Sequence, residues 1–490
     1  MIQLRLFFTI AVTIIWGWII VSIIVRNDSR SLLEKIALSF VIGLGTISWL
    51  MFLINQVNIF LNYWLILLLL AGFGASLITF AYYKRIPLLT LYPLTNTRPA
   101  SSSGWLNIFL SAAILLKCAY VYFTTTVKPV MDFDALWRHS LIAKGIFLDK
   151  TFKTPFIIKL VTDNPMFISF AQSWIFFGLG GWQDNLGKSV FALLFICLVA
   201  LFFENLKKDF NHTHALLFTF LLSSLPFLVY HAATAYADFP QTVYYALGTL
   251  YLFYFIKAEC KNRADLMLSA LMLGLGVFIK RHGFYLFFID LFVLLLALQA
   301  LRPKFSVREK LICLAIFFLP FILVTLSLAT FNQDLAVIAA KTISAPIASI
   351  HPSAEANQSL GTPALQRLLL AIPIFYQKMF MFNMWHLAWL LLIICLLFFP
   401  KKVFRPPLSY LLLTIAINLA YVFISLTFTH AFEFLLDGTL MNRIMLYQMP
   451  LVLLFAAFAV PEIGGKPTGQ PAQTPLSTPG RIKTQCKLKR

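Results

Sequence analysis

From Leu6 to Val25 the chain runs for twenty residues without a charge, LFFTIAVTIIWGWIIVSIIV. Wound as a helix, such a stretch spans the hydrocarbon core of a bilayer. It is too long for the apolar part of a removable leader, so it is expected to stay as an anchor. Comparable runs recur near 35–54, 58–82, 106–127, 187–204, 214–231, 239–257, 265–280, 283–301, 311–331, 379–399, 408–430 and 443–460, about thirteen in all. The expected fold class is an all-α polytopic membrane protein. Composition agrees: 60% of residues are hydrophobic, 12% are charged, and mean hydropathy is +0.84, outside the range of water-soluble domains.

The formal charge of +20 is explained by basic loops against anionic lipid, so membrane lipids are expected partners and nucleic acid is not. Of the six cysteines, Cys118, Cys197, Cys313 and Cys395 fall in apolar runs, and Cys260 and Cys486 in segments read as cytoplasmic. Their spacing indicates neither a disulfide framework nor a metal site.

Short basic loops set the orientation. Arg26/Arg30/Lys35, Lys84/Arg85, Lys207/Lys208, Lys257/Lys261/Arg263, Arg302/Lys304/Arg308/Lys310, Lys401/Lys402/Arg405 and the tail share one side only if the chain starts outside and 165–181 does not cross. That piece, PMFISFAQSWIFFGLGG, is then a surface-lying helix ended by its glycines. Two long extracytoplasmic loops follow, 128–186 and 332–378, the second marked by HPSAEANQSLGTP. The expected organisation is an N-terminal set of spans of unassigned role (1–105), a membrane domain (106–460) and a basic, disordered cytoplasmic tail (461–490).

Asp132 and Asp134 open the first long loop in VKPVMDFDALWRHSLIAKGIF. The plain reading is solvated acids balancing Lys128, Arg138 and Lys144. If the segment is extended, the two carboxylates share a face and one holds its proton more tightly. Lys280, Arg281 and His282 form a tight outward hairpin. Snorkelling anchors explain such cations, but positive charge in a short outer loop runs against the usual bias and suggests an anionic ligand. Arg443 begins the last span and either reaches the same anion or pairs with Asp437 or Glu433. Asp238, beside Tyr236 in YADFP, has three roles open to it: divalent metal ligand, partner of a substrate hydroxyl, or helix cap. Lys117 and Asp290 lie within spans, where charges are costly and functional by default, and three roles are open to them: pairing with each other, holding a lipid carrier or lining a cavity. His139, His351, Trp174 and Trp182 read as surface and interface residues.

Taken in order, DFDALWRHSLIAKGIF, DNPMFISFAQSWIFFGLGG, YADFPQTVYYALG, LGLGVFIKRHGFY and GTLMNRIMLYQMPLVLL resemble the C-type glycosyltransferase superfamily of integral membrane enzymes. Protein O-mannosyltransferases and bacterial lipid A and lipopolysaccharide sugar transferases are similar. The resemblance covers roughly 106–455. This chain has Asp-Phe-Asp where relatives often have Asp-Glu, and Asp163-Asn164-Pro165-Met166 where they have Tyr-Pro-Pro-Leu, so Asn164 is only a weak contact candidate.

The resemblance implies inverting transfer of a sugar from a polyprenyl-phosphate donor to an extracytoplasmic hydroxyl. The expected acceptor is a cell-envelope glycan or glycolipid, and the expected setting is a bacterial inner (plasma) membrane. The departing phosphate needs cations and the acceptor hydroxyl needs a base. The matching base is Asp134, with Asp132 the other choice, and Lys280, Arg281, His282 and Arg443 are the phosphate-binding candidates. A divalent ion stays open as cofactor. The alternative function is a transporter or flippase of a lipid-linked or small-molecule substrate, which would place its charges near the midplane.

Overall fold

The computed structural model describes residues 1–26, 30–88, 104–154, 156–157, 165–300, 305–331, 363–381 and 384–463. Asn164, His351 and the tail from 464 lie outside the described residues, as does 332–362 of the second long loop. Among the described residues every regular element is helical. The helices are α1 (Ile2–Val25), α2 (Leu32–Gln56), α3 (Tyr63–Tyr83), α4 (Gly104–Val127), α5 (Ser140–Asp149), α6 (Phe167–Leu179), α7 (Ser189–Leu206), α8 (His212–Ser224) and α9 (Pro226–Ala233). There follow α10 (Asp238–Lys257), α11 (Arg263–Ile279), α12 (His282–Ala300), α13 (Val307–Phe331), α14 (Ala364–Tyr376), α15 (Ala388–Phe398), α16 (Leu408–Phe428) and α17 (Met441–Ala459).

Helices form at all thirteen expected places, yet the count of thirteen spans is not reached. Nine of the described helices are long and apolar enough to cross, or ten if α8 and α9 count as one bent span. The run expected at 379–399 yields only the 11-residue α15, because a wide turn at Gln377–Met381 and further turns precede it.

α8 and α9 meet at 62°. The cause is local: Pro226 donates no backbone hydrogen bond, and Leu225 before it is held extended (φ −60°, ψ 115°). Backbone groups freed by such a break must find partners in lipid. The turn before α15 supplies them: Phe227 N donates to Met384 O at 3.3 Å, and His386 Nε2 meets Ser224 O at 2.8 Å.

α6 is too short to span, as expected of 165–181, but it is not exposed: all 13 residues are buried. α5 covers one side, tied by Ser169 Oγ to His139 O and by Ser173 Oγ to Ala143 O, both at 3.0 Å. α1 covers another, with Trp174 Nε1 donating to Thr13 Oγ1 at 2.9 Å and Arg5 Nη1 to Leu179 O at 2.9 Å. His139 and Trp174 are therefore interior residues, contrary to expectation, whereas Trp182 is exposed as expected. The N-terminal helices thus brace the long segment between α4 and α7. They pack closely on each other because a side chain at Gly17 would put its Cβ 1.8 Å from Ser39 O, so only glycine fits.

The opposite end of the bundle is closed by ion pairs. Arg30 bonds Glu34 at 2.9 Å and Asp265 at 2.5 Å, Lys208 bonds Glu34 at 2.9 Å, and Tyr251 donates to Glu34 at 3.1 Å. Arg30 and Lys35, expected in basic loops, are buried. Within the membrane, Asp290 accepts from Thr249 at 2.7 Å rather than pairing with Lys117.

Candidate active site

Asp134 stands one residue before a wide helical turn, Ala135–His139, and its own backbone is already helical (φ −63°, ψ −31°). Leu136 N donates to Asp132 O at 2.8 Å, closing the turn. The segment is therefore not extended, and residues two apart on a helix do not share a face. The carboxylates part company: Asp132 accepts from Tyr230 OH at 3.0 Å, while Asp134 accepts from Arg443 Nη2 at 2.7 Å.

Asp238 begins α10 and is fully buried. Its Oδ2 accepts from Arg443 Nε at 2.8 Å, and its Oδ1 accepts from Lys280 Nζ at 2.5 Å and from Tyr447 OH at 2.6 Å. Such a carboxylate neither caps its helix nor suits a divalent ion, because both oxygens already face cations. Among the described residues no group of three or more His, Cys, Asp or Glu side chains is placed to hold a metal.

Lys280 reaches Asp238 because the α11–α12 connection is only two residues long and Lys280 itself is extended (φ −153°, ψ 151°). Gly283 makes this hairpin feasible, since a Cβ there would lie 2.4 Å from Gly276 O. Lys280 is 6% exposed; burial pulls its ammonium below the ordinary lysine value and the charge of Asp238 opposes this. Arg281 and His282 flank it, with the His282 ring 6.0 Å from that of Tyr447.

Arg443 joins the two acids. It pairs with neither Asp437, which accepts from Thr439 N and Oγ1 at 2.8 and 2.7 Å, nor Glu433. Its guanidinium stands 4.9 Å over the Tyr236 ring. Burial, followed by the charge of Asp134, pushes the Tyr236 phenol up from its ordinary value.

Beside this cluster opens a cavity of about 870 Å³, whose walls include Asp134, Arg138, Tyr230, Tyr236, Lys378 and Arg443. Lys280, Arg281, His282 and Asp132 do not line it. Sequence reasoning passed over Arg138 and Lys378 as wall cations, and also Tyr230 and Tyr447. Two signals were available: Tyr447 follows Arg443 by four residues, on the same helix face, and Tyr230 follows the span-breaking Pro226.

The cluster can hold a carboxylate at a cavity wall, oriented by a guanidinium whose other side is anchored on a buried acid. Residues 163–328 match the model of a family described as dolichyl-phosphate-mannose-protein mannosyltransferase. No curated protein and no solved structure matches the chain. The matched segment contains Asp238 and Lys280, while Asp134 and Arg443 lie on either side of it. The family match bears out the resemblance read from the sequence: from just before α6 into α13, this chain is similar to a membrane glycosyltransferase family of the C type.

Proposed function

We propose that the protein is an inverting glycosyltransferase that moves a sugar from a polyprenyl-phosphate carrier to an acceptor hydroxyl on the extracytoplasmic side, the acceptor being a cell-envelope glycan or glycolipid. The observation that carries this reading is the Asp134 carboxylate on the cavity wall, bonded to Arg443 at 2.7 Å. In the proposed step Asp134 takes the acceptor proton as the acceptor oxygen attacks the anomeric carbon. The bond from that carbon to the phosphate oxygen breaks, configuration inverts, and the phosphate leaves as an anion on its lipid.

The departing anion needs preorganised cations. Arg138, Lys378 and Arg443 face the cavity, whereas Lys280 is engaged with Asp238, so its role in this reading is to position Asp238 and through it Arg443. Asp134 is favoured over Asp132 as base because Asp132 is held by Tyr230 and lies off the cavity wall.

The test is transfer from radiolabelled polyprenyl-phosphate hexoses by the purified protein, with native membrane lipids and envelope glycans as acceptors. Asp134→Asn is expected to cut transfer by about 10²–10⁴-fold, the usual worth of a general base, with carrier binding retained. Asp132→Asn is expected to keep most activity. Equal activity of wild type and both variants would overturn the assignment.

A further inference from the structure

α10 is 20 residues long, so Lys257 at its end lies about 30 Å from Asp238 at its start, one hydrocarbon thickness away. At that far end is a second cavity of about 340 Å³. Lys257, Lys401, Lys402 and Arg405 line it, with Phe253 and Phe458 among its apolar walls, and no carboxylate is among the described residues that line it. Lys257 is paired with Asp209 and lies 5.0 Å from the Phe458 ring centre. Lys402 donates to Val460 O at 3.3 Å, which steadies its stem while two donors of its ammonium remain. Lys401 and Arg405 are exposed.

Three cations from the single turn Lys401–Arg405 therefore converge on one mouth above an aromatic wall, where α10 ends and α17 leaves the membrane. Like charges gathered there repel one another, and an anion between them relieves the repulsion. The apolar wall suits a ligand that carries hydrocarbon next to its charge, and basic pockets between spans bind anionic headgroups in this way. We infer that this cavity binds the phosphate of an anionic phospholipid headgroup in the leaflet opposite the candidate active site.

Native mass spectrometry of the full-length protein in detergent tests this. Phosphatidylglycerol is titrated against phosphatidylcholine, with inorganic phosphate added as a separate competitor. One phosphatidylglycerol is expected to be retained in preference to phosphatidylcholine. Lys401→Ala and Arg405→Ala are each expected to weaken that retention about fivefold, the worth of one surface cation. Lys402→Arg keeps the charge and is expected to retain the lipid, and Lys84→Ala, on an exposed cation elsewhere, is expected to change nothing. Equal retention of the two lipids, displacement by millimolar inorganic phosphate, or an unchanged affinity in the Lys401 and Arg405 variants would each overturn the inference.

Discussion

Arg443 donates to Asp134 and to Asp238, which precede it by 309 and 205 residues, and so fastens the segment after α4 to the start of α10. Asp134 lies on the cavity wall, whereas Asp238 is fully buried.

The forked guanidinium is what allows one residue to hold two carboxylates. Lysine offers a point charge and cannot reproduce that geometry. Arg443→Lys is expected to lower sugar transfer by about 10²-fold, comparable to loss of one preorganised donor, while the purified protein stays monodisperse. Transfer assays beside size-exclusion profiles check this; near-normal transfer would mean that the bridge is only structural.

Removing Asp238 alone strands Lys280 as a buried, uncompensated charge. Asp238→Asn is expected to cost about 3–5 kcal/mol of stability, whereas replacing both partners with Asp238→Asn and Lys280→Met recovers much of it. Denaturant or thermal unfolding in detergent, run on the single and double variants, gives the comparison. Equal losses in both would show that the pair contributes packing and not charge balance.

His139 gives a pH dependence with a definite sign. Burial, then the neighbouring Arg138, hold its imidazole down to about 3, whereas an unfolded histidine takes a proton near about 6.5. Between those values the unfolded chain binds more protons, so stability falls as pH drops from neutral, by up to about 1.4 kcal/mol per pH unit. A His139→Asn variant is expected to show a flatter decline between about pH 7 and 5. The same slope in both proteins would remove His139 as its source.

Gly17 and Ser39 test whether the N-terminal helices are integral to the assembly. The 1.8 Å approach leaves no room for a Cβ at Gly17, so Gly17→Val is expected to separate α1 from α2 and to lower the yield of folded protein. Gly72→Ala, where no atom lies within 4 Å of the added carbon, is expected to have no effect. Folded yield after membrane extraction is the readout.

Much of the fold was legible because lipid imposes a simple rule of length and polarity: the thirteen apolar runs mark where helices form, and 165–181 does not cross. The number of crossings was less legible: turns shorten α15, and α10 and α11 are not among the described helices that are long and apolar enough to cross. In the site, the residue types at Asp134, Asp238, Lys280 and Arg443 were visible, but their pairing was not. The sequence favoured Asp134 over Asp132 only through the resemblance, whereas the helical turn closed at Leu136 separates their partners. Arg443 was weighed against Asp437 and Glu433, neighbours in sequence; its partners lie hundreds of residues away and are set by how α10 and α17 meet. Lys280 carries no sign in sequence that Asp238 would draw it inside.

The position of Arg443 on α17 also orders events during synthesis. Asp238 and Lys280 are 42 residues apart, so they emerge almost together and can pair as soon as α10 and α11 are made. Asp134 is made earlier still, but its hydrogen-bond partner Arg443 arrives only with α17. A nascent chain halted before α17 therefore holds every acid of the cluster without the residue that unites them, and the cluster becomes competent only when the bundle is finished.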